Sequence, residues 1–158
     1  MAYHRRRALH FEKHNNFQYA SDEWRICIEI QSKKPNIKSL TGMARCFRHS
    51  GDYKEADKIY AQANRFYPNN ENVYALRAEN LGNAGNHHGA LQYWDRCIAL
   101  DKNPPRIKWL LMRAKNNMLL NNFHETEEQY KYIYKIYPDN RNAVEALCKL
   151  YDTKQDWA

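Results

Sequence analysis

Five short motifs recur along this 158-residue chain at nearly constant intervals, and that spacing limits the fold more than any other feature. Asn15-Asn16-Phe17, Gly51-Asp52-Tyr53, Gly85-Asn86-His87, Asn121-Asn122-Phe123 and Gln155-Asp156-Trp157 are separated by 36, 34, 36 and 34 residues. Seven residues before each motif stands a small side chain: Ala8, Ala44, Ala78, Ala114 and Cys148. Ala20, Ala56, Ala90 and Thr126 follow the first four motifs in the same register, and Trp24, Tyr60, Trp94 and Tyr130 come four residues later still. Self-similarity at a period between 20 and 50 residues is the mark of a repeat architecture, in which each unit buries its apolar face against the next.

Apolar residues within each unit recur at three- and four-residue steps, as on amphipathic helices. Leu40, Met43, Ala44 and Phe47 form one stripe, and Ala56, Ile59, Tyr60 and Ala63 form the next. Between them Ser50-Gly51-Asp52 reads as a turn, and Tyr67-Pro68-Asn69-Asn70 ends the second helix and starts the next. Each unit is therefore expected to be a helix–turn–helix pair. The small residues mark where two backbones approach, and the aromatic fills the gap between neighbouring pairs.

Composition agrees with this. With 5 Gly and 5 Pro the chain has too few turn residues for a β-sandwich or barrel, and its 13% aromatic content is foreign to disordered chains. No run approaches the roughly 20 apolar residues of a membrane span. Four cysteines lie far apart with no CxxC pair, which fits neither a zinc site nor a disulfide framework, and no secretory signal opens the chain. A cytoplasmic protein with reduced thiols is the expectation.

The residues Leu40-x-x-Met43-Ala44-x-x-Phe47, Gly51-x-Tyr53-x-x-Ala56, Tyr60, Ala63 and Pro68 resemble the pattern of the tetratricopeptide repeat family. The resemblance extends over the chain as units 1–36, 37–70, 71–106 and 107–140 and a half unit, 141–158. It implies an all-α right-handed superhelix of about nine antiparallel-paired helices, acting as a scaffold. It is a strong statement about fold and a weak one about function, because this scaffold serves many partners.

Several positions depart from the pattern. His4 replaces a large apolar residue, so the first unit is expected to pack loosely at that end. Arg7, Arg77 and Arg113 stand where the family has Leu. The expectation is that their aliphatic stems pack while the guanidinium groups reach water; the alternative is a row of interhelical Arg–carboxylate pairs. Units one and three each carry two extra residues, placed in Ser32-Lys33-Lys34-Pro35 and Lys102-Asn103-Pro104-Pro105.

No residue set assembles catalytic chemistry. There is no G-x-S-x-G, phosphate-binding glycine loop or dinucleotide fingerprint, so the chain is expected to be no enzyme and to need no cofactor. The cysteines fall on packing positions and read as buried thiols. His10 and His14 lie one turn apart, but His10-Phe11-Glu12-Lys13-His14 has its Glu in the wrong place for a zinc-protease motif, and no metal site is expected. His87-His88 reads as a solvated helix start.

The surface carries the remaining signal. In tetratricopeptide arrays the first helices of successive pairs line a concave groove where ligands usually lie. Carried over by register, that lining holds Arg5, Lys13, Lys38, Arg45, Arg48, Lys108 and Lys115, together with His49, against Glu12 and Glu79; Gly82, Asn83 and Leu119 fall among them. Seven basic residues against two acidic ones leave 7 − 2 = +5, most of the formal +7. Charge focused in a concavity favours an anionic ligand, and Arg45 and Arg48, one turn apart, have the spacing to grip a carboxylate. An acidic or extended peptide is the expected partner.

Chaperone-binding members of the family hold a C-terminal carboxylate with Lys and Asn on one helix, Asn on the next, and Lys and Arg on the third. The matching positions here are Arg5, Leu9, Gly42, Asn72 and Leu76, or Thr41, Arg45, Leu76, Lys108 and Met112, and neither set fits. A nucleic-acid-binding helical repeat is a further alternative, suggested by the basic groove and by Tyr130-Lys131-Tyr132-Ile133-Tyr134-Lys135. It is disfavoured, because Tyr130, Ile133, Tyr134 and Tyr137 follow helical spacing as packing residues do. Finally, Val144, Leu147, Cys148 and Tyr151 look like an interior helix rather than a polar cap. That suggests a segment of a longer protein, with Trp157 opening a second helix, and self-association through the C-terminal helix. A structural or oligomerisation module attached to a bacterial enzyme, such as a polysaccharide-assembling glycosyltransferase, is the corresponding alternative function.

Overall fold

A computed structural model describes residues 1–31 and 33–155. Among them run nine helices and no strand: α1 (Ala2–Lys13), α2 (Phe17–Ile30), α3 (Ile37–His49), α4 (Tyr53–Phe66), α5 (Glu71–Asn83), α6 (His87–Leu100), α7 (Ile107–Leu119), α8 (Phe123–Ile136) and α9 (Arg141–Gln155). Each helix packs on the one that follows, and α3 also reaches α5, so the odd-numbered helices form one wall of a stack. The all-α superhelix expected from the repeat is the observed architecture. Asp156, Trp157 and Ala158, and with them the fifth motif and the expected second helix of the half unit, lie outside the described residues.

The recurring motif has a backbone explanation. Its first residue takes the left-handed conformation at all four described turns, with φ of 58° at Asn15, 81° at Gly51, 79° at Gly85 and 60° at Asn121. Only Gly, or Asn with its short polar side chain, adopts that conformation at low cost. The second residue precedes the next helix: Asp52 accepts from the Glu55 amide at 3.1 Å and Asn86 from the Gly89 amide at 2.9 Å. The third residue opens the helix. Between pairs, Asn36, Asn70 and Asn140 cap α3, α5 and α9 in a similar way.

The small residues lie at closest approach. Ala8, Ala20, Ala44, Ala56, Ala78, Ala90 and Ala114 are fully buried, and Trp24, Tyr60, Trp94 and Tyr130 are buried beside them as wedges. Gly42 shows how tight one contact is, since a Cβ placed there would stand 2.5 Å from the Trp24 ring. Thr126, in the alanine series, is tolerated because its hydroxyl donates to the Asn122 carbonyl at 2.8 Å.

Alternating long and short units give a finer period of 36 + 34 = 70 residues. Tyr67 donates to the Pro35 carbonyl at 2.9 Å, and Tyr137 donates to that of Pro105 at 2.8 Å. The extra residues fall in the connections 31–36 and 101–106, each two longer than 67–70 and 137–140. Ser32 is outside the described residues.

The structure corrects several expectations. Arg77 bonds Asp57 through two nitrogens, at 2.7 and 3.0 Å, and Arg113 pairs with Asp95, each joining a helix to the one before it. Arg7, on α1, lies 3.2 Å from the buried Glu23 of α2. These guanidinium groups are thus paired between helices, not simply solvated. His4 bonds the same Glu23 at 2.7 Å, so a polar contact fills the place of the missing apolar one. His87 is half-buried and bonds Asn116 at 3.0 Å; only His88 of that pair is exposed. Tyr134 is exposed rather than packed. Cys27, Cys46 and Cys97 are buried as expected, and burial pushes the Cys46 and Cys97 thiols up to about 12. Cys148 is exposed instead of buried.

Candidate binding groove

The wall formed by α1, α3, α5 and α7 carries the charges expected of it, but it uses some of them internally. Arg45 does grip a carboxylate with two nitrogens, at 2.8 and 2.9 Å, and that carboxylate belongs to Glu12 of the chain itself. Arg48 meets Glu79 at 3.1 Å, and Lys108 reaches the other Glu79 oxygen at 3.1 Å. Acids on α1 and α5 thereby tie α1 to α3, α3 to α5, and α5 to α7 along the groove floor. The fixed, fork-shaped guanidinium suits such bridges between adjacent helices.

Arg5, Lys13, Lys38 and Lys115 remain exposed without a carboxylate partner among the described residues. His49 lies with its ring 4.8 Å from that of Phe17 and nearly parallel to it. The stacked ring leaves His49 one open face.

Two depressions lie along this wall. One, of about 420 Å³, is bounded by Arg48, His49, Tyr53, Glu79, Asn83 and Met112. A smaller one, about 70 Å³, continues past Gly82 to Lys115, Asn116 and Leu119, sharing Glu79, Asn83 and Met112 with the first. Tyr53, His87, Met112 and Asn116 were missing from the lining expected from register. The first two are the third residues of their turn motifs, which begin a second helix at the groove's edge; that position was a signal in the sequence. Met112 and Asn116 sit beside the expected lining positions of α7 and carry no comparable signal.

Among the described residues no group of three or more His, Cys, Asp or Glu is placed to hold a metal ion, and no helix is long and apolar enough to cross a membrane. His10 and His14 bring their rings to 4.6 Å without a third ligand beside them.

Comparison with known proteins follows the same line. Residues 38–70 match the tetratricopeptide repeat family model. No curated protein matches the sequence significantly. Among solved structures, a tetratricopeptide repeat protein from Parabacteroides merdae is similar with a TM-score of 0.86 at 18% identity, covering 99% of this chain and 60% of that one. MamA is similar with a TM-score of 0.81 at 13% identity, over 98% of this chain and 82% of its own. The first repeat domain of Spaghetti (RPAP3), in a structure bound to the HSP90 peptide SRMEEVD, gives 0.65 at 20% identity, over 77% of this chain and 98% of its own. The family match covers the second unit, and the likeness to these solved structures agrees on the fold: the described residues form an all-α superhelix of paired helices like that of the Parabacteroides merdae tetratricopeptide repeat protein.

Proposed function

We propose that the chain is a non-catalytic protein-binding scaffold whose concave groove receives an extended, acidic peptide segment. One observation carries this reading. The two acids of the expected lining, Glu12 and Glu79, are paired with Arg45, Arg48 and Lys108, while Arg5, Lys13, Lys38 and Lys115 have no acid partner among the described residues. The surplus charge is therefore unspent, and by the register of the repeat it belongs to the concave wall, where an anion is favoured. The acidic peptide carried by the RPAP3 structure supports the same ligand class, although the residues of that subfamily's clamp are not matched here.

Fluorescence anisotropy with a blocked hexaglutamate peptide tests the reading, with blocked hexaglutamine as the uncharged control. Hexaglutamate should bind, and Lys38→Glu combined with Arg5→Glu should weaken it at least tenfold with helicity unchanged. Equal binding of the two peptides refutes the proposal. A preference for an oligouridine that collapses with added salt moves the assignment to nucleic acid.

A second reading has its own support. Val144, Cys148 and Tyr151 are exposed along α9, which suits an oligomerisation module within a larger protein. Sedimentation of the parent and of Val144→Glu distinguishes this role: a concentration-dependent dimer abolished by the substitution supports it, and a monomer throughout excludes it.

A further inference from the structure

Glu12 is held from two sides. Besides the Arg45 guanidinium, it accepts the indole N–H of Trp24 at 2.6 Å. Seventy residues on, at the same places in the long period, stand Trp94 for Trp24, Lys115 for Arg45 and Gly82 for Glu12. The donor and the cation persist, and the carboxylate between them is gone.

What the structure shows there is what such a loss leaves behind. The Trp94 indole nitrogen is buried with no hydrogen-bond partner, unlike that of Trp24. Lys115 is exposed and has no acid partner among the described residues. Gly82 and Lys115 face the same pocket of about 70 Å³, with Met112 and Asn116 on its walls. That volume holds a carboxylate but not a whole large side chain. A Cβ at position 82 would stand 3.2 Å from Asn116 Oδ1, so glycine keeps the space open. Glu79 also borders the pocket, but Arg48 and Lys108 hold its two oxygens, so it does not repel an incoming anion strongly.

We propose that the pocket over Gly82 is a carboxylate subsite, in which an acidic group of the bound peptide takes the place that Glu12 occupies in the first unit. The carboxylate accepts from Lys115 Nζ and from the Trp94 indole N–H. Met112 packs on the Trp94 cluster, and its flexible unbranched side chain turns aside to admit the ligand. This subsite rests on the groove being an acidic-peptide site; its proposed donors, Lys115 and Trp94, are not at the positions where chaperone-binding relatives place their clamp residues, although Met112 on its wall is at one of them.

The test follows the Trp94 indole resonance of ¹⁵N-labelled full-length protein during titration with blocked hexaglutamate. The signal should move downfield and saturate with the anisotropy curve. Lys115→Met should weaken binding at least tenfold. Gly82→Glu, which supplies an internal carboxylate, should shift the Trp94 signal in the free protein and abolish its response to peptide. If the Asn116 contact prevents that variant from folding, Lys115→Met and Trp94→Phe carry the comparison. Unblocked hexaglutamine, whose one carboxylate is its C-terminus, forms a second arm. A response to hexaglutamate assigns a side-chain carboxylate, and a response to the second peptide alone assigns a chain end; either supports the subsite. A Trp94 signal unmoved at saturation by both peptides, or unchanged affinity in Lys115→Met, overturns it. If Lys38→Glu still weakens binding in that case, only the subsite falls. If hexaglutamate does not bind at all, the groove reading falls as well.

Discussion

Replacing Glu12 by Ala removes the one acceptor on which three hydrogen bonds converge. Trp24 donates to it at 2.6 Å, and Arg45 at 2.8 and 2.9 Å. A hydrogen bond to a charged group contributes about 1.5–3 kcal/mol net, so simple addition gives at least about 5. Two physical effects reduce that figure. Arg45 is 35% exposed at its side chain and can turn to water once its partner is gone, which limits its share to about 1 kcal/mol. Glu12 also stands in the last turn of α1, where the helix dipole disfavours an anion by about 0.5 kcal/mol. Trp24 has no such escape, being 2% exposed, and its orphaned N–H costs about 1–3 kcal/mol. The expected loss is about 2–3 kcal/mol, a fall in melting temperature of roughly 4–12 °C for a chain of this size. Urea unfolding followed by circular dichroism and tryptophan fluorescence measures it. Glu12→Gln keeps an acceptor for Trp24 but loses the charge pairing, so it should cost about 1 kcal/mol. In a double-mutant cycle with Arg45→Met the coupling should be about 1 kcal/mol. A Glu12→Ala protein within 0.5 kcal/mol of the parent, taken as about the cost of one weak surface pair, would refute this reasoning. Equal losses for Ala and Gln would refute the part assigned to Trp24.

Two further outcomes separate the interhelical arginines and the thiols. Arg77→Ala should destabilise by about 1–2 kcal/mol, because the lost pair is only 17% and 27% exposed and Arg77 also stacks 4.2 Å from the Tyr93 ring. Arg113→Ala should cost under about 1 kcal/mol, since Asp95 is 56% exposed; reversed ranking in thermal melts would contradict this account. Iodoacetamide at pH 8 should modify Cys148 in the native protein and leave Cys46 and Cys97 intact until unfolding. Their thiols, raised to about 12, supply about one thiolate in ten thousand at that pH. The sign fixes the direction: raising the pH toward that value increases their labelling, and comparable native-state rates for all the cysteines at pH 8 would contradict the burial argument.

Some of this was legible in the residues because the chemistry behind it is local. A left-handed turn admits Gly or Asn, the residue after it caps a helix, and two backbones in contact require Ala. Asn15, Gly51, Gly85 and Asn121 meet that demand wherever the chain turns, so the register of the repeat exposed the helix pairs and their close contacts without coordinates. The groove's expected location and lining come from the same register. The fate of individual charges did not. Arg45 and Arg48 look alike in sequence, one turn apart on one helix, yet one reaches back to α1 and the other forward to α5.

The amino-acid order by itself determined the repeat, the helical pairing, and the alanine and aromatic core. Only the tertiary structure decided which cations are spent, which residues complete the pockets, and that the Trp94 indole nitrogen is buried without a partner while Lys115 borders the pocket at Gly82. The reason is distance. Turns, caps and helix faces depend on residues a few places apart, whereas an ion pair or an orphaned N–H depends on which side chains meet across different helices, as Arg77 and Asp57 do 20 residues apart and Glu12 and Arg45 do 33 apart.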